Sequence, residues 1–179
     1  MHVEIRSATP QDAAALLAIY APVVRDSTAS FELVPPTVEE FSRRIAGVLE
    51  HWVYLVAEVE GRPVAYAYGG RHRDRPAYDW SVETSVYVDG AHHGHGIGRR
   101  LYEELFTRLA ALGYRNAYAG ITLPNDPSLA LHRALGFADI GVFPRIGYKF
   151  GAWCDVAWLH RPLGAGDPER AAQALPAGR

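Results

Sequence analysis

The stretch HGHGIG, residues 93–98, joins a segment rich in β-forming residues to a segment in which leucines recur at helical spacing. Its three glycines alternate with other residues, so several backbone N–H groups are free to point towards one anion. The helix that follows adds the positive end of its dipole, and Arg99 and Arg100 add formal charge at the same end. The stretch therefore predicts a site for a phosphate or pyrophosphate group.

Other interpretations of the same loop remain open. Glycine-rich loops are also flexible connections that bind no ligand. The spacing is neither the G-x-G-x-x-G of dinucleotide-binding folds nor a P-loop, which needs Lys followed by Ser or Thr. His92, His93 and His95 are possible metal ligands, but no cysteine or carboxylate cluster neighbours them in sequence. A solvated loop is the stronger interpretation of these histidines, and no metal is expected.

The pattern on either side of the loop predicts an α/β (α+β) chain in the order β-α-α-β-β-β-α-β-α-β-β. Thr9 with Pro10, and Thr37 with Glu40, are typical helix starts. A strand, the glycine loop, a helix and another strand follow one another, so at least that pair of strands is parallel. The predicted strands lie at 2–7, 52–59, 62–68, 78–88 and 114–122, with two more within 137–163, and the later helices lie at 99–112 and 128–135.

Length and composition limit the class of protein. The chain has 179 residues, 49% of them apolar and 21% charged, which suits one domain with a sizeable core. A net charge of -2 gives no basic field for nucleic acid, and no apolar run is long enough to span a membrane. The single Cys154 suits a reducing cytoplasm. We therefore expect a cytoplasmic domain over residues 1–163, followed by a Gly-, Ala- and Pro-rich tail at 164–179 that is disordered.

The glycine loop resembles the acetyl-CoA pyrophosphate loop of the GNAT superfamily of N-acetyltransferases. In that loop Gln or Arg precedes x-x-Gly-x-Gly or Ala, whereas here His93 takes the first position and the glycines are intact. Residues 78–88, 123–137 and 147–156 resemble the central strand, second cofactor motif and C-terminal hairpin of phosphinothricin N-acetyltransferases. This resemblance, from about Val3 to Leu163, implies a central, mixed and mostly antiparallel sheet of about seven strands with flanking helices. In that fold a splayed parallel pair of strands holds acetyl-CoA.

The resemblance also assigns cofactor-binding positions. Asn125 is one of them, although asparagine beside proline is also favoured in turns for its own backbone bonding. The residues expected to contact acetyl-CoA are Val86, Tyr87, Val88, His93, Gly94, His95, Gly96, Ile97, Gly98, Arg99, Asn125 and Ser128.

Two residues are expected to carry the chemistry. Glu83 is an acid inside a strand of β-forming residues, where period 2 places it on one face with Ser85 and Tyr87. The family's catalytic glutamate matches this position, so we expect Glu83 to be the general base, with a surface glutamate as the alternative. His132 stands where many GNAT enzymes have the tyrosine that protonates the departing thiolate. Its alternative role is a half-buried histidine packed on the core.

Basic and aromatic residues are expected to bind the acceptor. The loop before the central strand carries Arg71, Arg73 and Arg75, each of which is otherwise a solvated surface residue. The resemblance selects Arg73 and Lys149 for the acceptor's anionic groups, and it places Lys149 in a pocket completed by the second subunit of a homodimer. The residues expected to contact the substrate are Arg73, Tyr78, Trp80 and Lys149.

The function implied by the resemblance is direct transfer of an acetyl group from acetyl-CoA to the amino group of a small amino-acid-like substrate. Phosphinothricin, methionine sulfoximine and methionine sulfone are the substrates of that type, and phosphinothricin connects the family with herbicide resistance. A protein N-terminal acetyltransferase is one alternative, which would need an open groove for a peptide. A non-catalytic acyl-CoA-binding module is another, against which the presence of Glu83 argues. No nucleic acid or membrane partner is expected.

Overall fold

A computed structural model describes residues 1–167 and contains helices and strands in the predicted order. The helices are α1 (Ala13–Asp26), α2 (Val38–Leu49), α3 (Ile97–Ala111) and α4 (Asp126–Ala134). The strands are β1 (Glu4–Ser7), β2 (Tyr54–Val59), β3 (Arg62–Arg71), β4 (Ser81–Val88), β5 (Asn116–Thr122), β6 (Ala138–Lys149) and β7 (Ala152–Pro162). The prediction of a disordered tail falls mainly on residues 168–179, which lie outside the described residues.

The seven strands form one sheet in the order β1-β2-β3-β4-β5-β7-β6. Every neighbouring pair is antiparallel except β4 and β5, which confirms the predicted mixed, mostly antiparallel sheet with one parallel pair. The parallel pairing is short, because it runs only from Ser81 opposite Asn116 to Glu83 opposite Tyr118. Beyond Glu83 the two strands separate, which leaves an opening in the middle of the sheet.

Helices cover both faces of the sheet. Leu101, Leu105 and Leu109, at every fourth position of α3, are fully buried against one face. Leu16 of α1 and Ile45 of α2 are fully buried in a separate core on the other face. Successive residues of a strand point to opposite faces, so β4 contributes to both cores. Among residues 1–167, none of the helices is long and apolar enough to cross a membrane.

Three of the element boundaries that differ from the sequence prediction lie beside the sheet opening. β4 begins at Ser81 rather than at residue 78, because Pro76–Tyr78 forms a 3-10 turn led by a proline that has no N–H to donate. α3 begins at Ile97, inside the glycine loop, because Gly96 before it adopts a left-handed conformation. α4 begins at Asp126, because the Asn125 side chain caps it. The two helices therefore start closer to the sheet opening than predicted.

Candidate active site

The separation of β4 and β5 opens a cleft of about 870 Å³. Its walls come from the part of β4 after Glu83, from β5 after Tyr118, and from side chains of α1. The glycine loop and the first turn of α3 line one end. A cleft of this volume is large enough for an extended cofactor-sized ligand.

The glycine loop is shaped by two residues in a conformation that glycine adopts without strain. Gly94 and Gly96 have φ angles of +77° and +74°. The Nε2 atom of His93 lies 3.0 Å from the Val88 carbonyl oxygen, and Nδ1 of His95 lies 2.9 Å from the His93 carbonyl oxygen. These contacts hold the loop in place, and the first N–H groups of α3 have no partner within the helix. The loop therefore fits an anionic group such as a pyrophosphate.

Most residues expected to bind acetyl-CoA line this cleft. Asn125 also has the turn role, because its Oδ1 accepts a hydrogen bond of 3.2 Å from the Ser128 N–H. His95 and Gly98 do not line the cleft: the ring of His95 contacts the loop backbone, and Gly98 packs against side chains of β4 and α4. The expected residues that do line it are Val86, Tyr87, Val88, His93, Gly94, Gly96, Ile97, Arg99, Asn125 and Ser128.

His132 lies in the cleft wall with both ring nitrogens in contact with polar atoms. Its Nδ1 lies 2.8 Å from the Ser128 carbonyl oxygen, and its Nε2 lies 3.1 Å from the Tyr102 hydroxyl. A carbonyl only accepts, so Nδ1 carries the hydrogen, and Nε2 of the neutral ring accepts from the hydroxyl. Burial lowers the pKa of His132, which keeps the ring neutral at pH 7. Burial also raises the pKa of the Tyr102 hydroxyl, so both side chains of this pair are uncharged at pH 7.

Tyr102 is a cleft residue that the sequence analysis missed. It lies in α3, one position after Leu101, and its spacing makes it look like an ordinary core residue. The sequence holds no local signal for its contact with His132, because the two residues are 30 positions apart.

Glu83 lies at the point where the parallel pairing of β4 and β5 ends. Its side chain is 41% exposed, and burial of the rest raises the pKa of the carboxyl, while the charge of Arg73 lowers it. Glu83 pairs with Gly70 of β3, and Ser85, two residues later in β4, pairs with Tyr68. Glu83 and Ser85 therefore share the face covered by α1 and α2, as the period-2 pattern predicts.

His72 is a second neighbour of the site that sequence reasoning missed. Its Nδ1 lies 3.6 Å from Oε2 of Glu83, and its ring stacks on Tyr118 with centroids 4.6 Å apart. Nδ1 is shielded from solvent and has no hydrogen-bond partner among residues 1–167. Burial, with a contribution from the charge of Arg73, lowers the pKa of His72. Nothing in the sequence of an arginine-rich loop distinguishes this histidine from a solvated one.

The other expected acceptor residues lie around Glu83 but outside the cleft wall. Arg73 is exposed, and its charge acts on both Glu83 and His72. Tyr78 is 42% exposed, with its ring edge-on to His72 at 6.1 Å. The carbonyl oxygen of Trp80 accepts two backbone hydrogen bonds from the start of β5, which fixes where the parallel pairing begins.

Lys149 departs from its expected role. It is 2% exposed, and its Nζ donates hydrogen bonds of 2.7–2.8 Å to the carbonyl oxygens of Val24, Ser27 and Ser30. An ammonium group has three hydrogens, so none is left for an anion of the substrate. The expectation that Lys149 contacts the substrate is therefore corrected: it joins the end of α1 to the segment that follows. The helix dipole favours a cation at this helix end.

Comparison with known proteins agrees with this geometry. Residues 5–158 match the model of an acetyltransferase (GNAT) domain. A phosphinothricin N-acetyltransferase of Streptomyces viridochromogenes is 40% identical, and the match covers 94% of this chain and 92% of that protein. An L-methionine sulfoximine/L-methionine sulfone acetyltransferase of Salmonella typhimurium is 35% identical, over 89% of this chain and 94% of that protein.

Solved structures show the same fold. A phosphinothricin acetyltransferase of the GNAT superfamily from Sinorhizobium meliloti, solved in complex with AcCoA, superimposes with a TM-score of 0.91 at 36% identity. The superposition covers 99% of this chain and 97% of that chain. Cleft, loop and sequence relatives lead to one conclusion: the chain belongs to the GNAT family of acetyltransferases.

Proposed function

We propose that this protein acetylates the α-amino group of a small amino-acid-like acceptor, of the phosphinothricin, methionine sulfoximine or methionine sulfone type, by direct transfer. The observation that carries the proposal is the position of Glu83, a carboxylate with a raised pKa at the end of the splayed strands. The names of the sequence relatives support the acceptor class.

Acetyl-CoA fits the cleft and supplies an activated thioester when it is bound. The glycine loop and the first turn of α3 would hold the pyrophosphate, and the separated edges of β4 and β5 would hold the pantetheine arm. Val86, Tyr87 and Val88 line that edge of β4, and Asn125 and Ser128 line the opposite wall.

Glu83 is proposed to remove a proton from the acceptor's ammonium group. Amines of free amino acids arrive largely protonated at neutral pH, so a base is needed before attack. A raised pKa brings the carboxyl closer to the pKa of the amine, which makes it a stronger base. Arg73 is proposed to bind the acceptor's carboxylate near Glu83, because a guanidinium suits bidentate recognition of that group.

His132 and Tyr102 are proposed to stabilise negative charge that develops in the cleft. Their pKa values shift in the directions that disfavour the imidazolium and the phenolate. A neutral hydroxyl that turns its one hydrogen from Nε2 of His132 to the developing charge therefore fits this pair better than full proton transfer from a charged histidine. His132, expected from its family position to be the acid, is assigned the role of orienting the Tyr102 hydroxyl.

A homodimer is proposed because the β6–β7 hairpin exposes an apolar face. The large apolar residues of β6, the turn and β7 that are at least 44% exposed are Ile140, Val142, Phe143, Ile146, Tyr148, Phe150 and Trp153. Exposed apolar surface of this extent on one hairpin is typical of a protein interface. Elution as a monomer with full activity would contradict the dimer.

The proposed function is tested by thiol release from acetyl-CoA in the presence of candidate acceptors. We expect release with free amino acids, sulfoximines and sulfones, and much slower release with peptides that have free N-termini. Faster acetylation of peptides than of every free amino acid would replace this proposal with protein N-terminal acetylation. Acetyl-CoA binding without thiol release for any amine would support a binding module.

A further inference from the structure

A second cavity, of about 360 Å³, lies between the sheet and the helices α1 and α2. Its floor is a stack of tyrosine rings from β2 and β3: Tyr54 lies 5.6 Å from Tyr66 and 5.0 Å from Tyr68, with planes within 22° of parallel. Phe41 and Val48 of α2 lie above this floor. We call this space the tyrosine cavity. Its walls offer flat aromatic surface, which favours an aromatic ligand.

Two hydroxyl groups in the tyrosine cavity have no partner among residues 1–167. Tyr54 and Tyr66 are 3% and 1% exposed, yet no hydrogen bond within that part of the chain uses either hydroxyl. The nearby Tyr20 hydroxyl, by contrast, contacts Ser30 at 2.7 Å and Glu32 at 2.9 Å. Neither hydroxyl oxygen is among the shielded, unpartnered side-chain atoms of residues 1–167, so both face the open space of the cavity, where an occupant that brings a hydrogen-bonding group can bind them.

The tyrosine cavity adjoins Glu83. Gly70 of β3 lies opposite Glu83, and Tyr68 lies opposite Ser85, so these residues share one face of the sheet. Gly70 also lines the cavity, and a Cβ added there would meet no atom within 4 Å. The absence of a side chain at Gly70 therefore leaves free space on this face of the sheet, between Glu83 and the cavity.

A positive charge at the edge of the tyrosine cavity suits the carboxylate group of an amino acid acceptor. Arg71 lines the cavity, and its one ion-pair partner among residues 1–167 is Asp74 at 3.3 Å, whose side chain is 94% exposed. A pair so open to solvent is weak and readily exchanged for another carboxylate. Arg44, by contrast, is not available to a ligand, because its guanidinium already binds the carboxylates of Glu32 and Glu40.

We propose that the tyrosine cavity receives the acceptor's side chain, and that it favours amino acids whose aromatic side chain carries a hydrogen-bonding group, such as tryptophan and tyrosine. The amine lies at Glu83, the carboxylate lies by Arg71 and Arg73, and the ring passes over Gly70 to stack on the tyrosine floor. The indole N–H or phenol hydroxyl then bonds to the hydroxyls of Tyr54 and Tyr66. This inference rests on the proposed function, and it extends the acceptor class beyond the sulfone and phosphinate compounds.

The first test compares kcat/KM for tryptophan, tyrosine, phenylalanine, leucine and methionine sulfone in the parent and in Tyr66→Phe. The parent is expected to prefer tyrosine over phenylalanine by about 2–10-fold, the range for one net hydrogen bond. Tyr66→Phe keeps the ring and removes the hydroxyl, so it should abolish that preference and leave phenylalanine unchanged. A preference for tyrosine that survives both Tyr54→Phe and Tyr66→Phe would overturn the inference.

The second test fills this free space with Gly70→Val, which places a β-branched side chain at a strand position with open space above it. We expect kcat/KM for aromatic acceptors to fall about 10-fold or more, as is typical when a substrate no longer fits its side-chain pocket, with an unchanged KM for acetyl-CoA. Methionine sulfone should be affected less. Equal loss for leucine and tryptophan would show that the variant disturbs Glu83 rather than the cavity.

A binding measurement separates this inference from the proposed function. Calorimetric titration with N-acetyltryptophan needs no turnover, and we expect binding to the parent that Gly70→Val weakens. If no amine is acetylated but this binding is seen and blocked, the proposed function fails and the cavity remains an aromatic site. If sulfones and aliphatic amino acids are acetylated but no aromatic compound binds or reacts, the inference fails and the proposed function remains.

Discussion

The two sides of the candidate active site are built in different ways. The cofactor side comes largely from one continuous stretch, from the second half of β4 through the glycine loop to the first turn of α3. The acceptor side combines β3, the loop that carries His72 and Arg73, Glu83 of β4, and a segment after α1 that Lys149 holds from β6. Local backbone geometry therefore determines the first side, whereas contacts between distant segments determine the second.

The largest expected effect is on the cofactor side. Gly96→Asp places a carboxylate beside the anion site and forces a side chain onto a residue with a φ of +74°. We expect the Kd for acetyl-CoA, measured by calorimetry, to rise about 100-fold or more, since a like charge at a ligand contact costs several kcal/mol.

Gly61→Asp is the matched control, because Gly61 has a φ of +73° in the turn between β2 and β3, away from the cleft. It should cost stability and leave the Kd unchanged. Wild-type affinity in Gly96→Asp would show that the glycine loop is only a connection.

The next largest effect is on the stability of the acceptor side. Lys149→Met leaves the carbonyls of Val24, Ser27 and Ser30 without their shared donor. We expect the free energy of unfolding, from urea denaturation, to fall by about 3 kcal/mol, the cost of breaking a buried charged group's hydrogen bonds. Arg43→Met removes an exposed cation from α2 and should change it by less than about 0.5 kcal/mol.

Chemical labelling provides a second check on Lys149, because it is the single lysine of the chain. Its ε-amine should resist acylating reagents in the folded protein and react on unfolding. Rapid labelling of the folded protein, with no loss of stability in Lys149→Met, would make this residue a candidate for substrate binding again.

A smaller and more selective effect is expected for Arg73→Ala. A charge-assisted bond to the acceptor's carboxylate contributes enough that its loss should lower kcat/KM for an amino acid by about 10–100-fold. The matching amino acid amide should lose far less, and Arg62→Ala, at the exposed start of β3, should change neither. Equal losses for the acid and its amide would show that Arg73 supports its loop rather than contacting the acceptor.

The contrast between the two sides explains what the sequence predicts and what it does not. Alternating glycines, an asparagine before a helix and an acid inside a strand are local signals, so the sequence points to the loop, Asn125 and Glu83 as candidate site residues, and the family resemblance selects cofactor binding for Asn125. His72 and Tyr102 become site residues only through contacts 11 and 30 positions away, with Glu83 and with His132. The prediction for Lys149 is wrong because its partners lie 119–125 positions earlier in the chain.

The role of Glu83 is tested most directly by the pH dependence of kcat/KM in the parent and in Glu83→Gln. A base must be ionised, so parent activity should fall as the pH drops through a carboxyl pKa that burial raises above its ordinary 4.5. Glu83→Gln should lose about 10²–10⁴-fold at pH 7 and recover with rising pH as more of the amine is unprotonated. Its affinity for acetyl-CoA should match that of the parent. If Glu83→Gln kept the parent's rate at pH 7 and the parent's loss of activity at low pH, the assignment of Glu83 as the base would be contradicted.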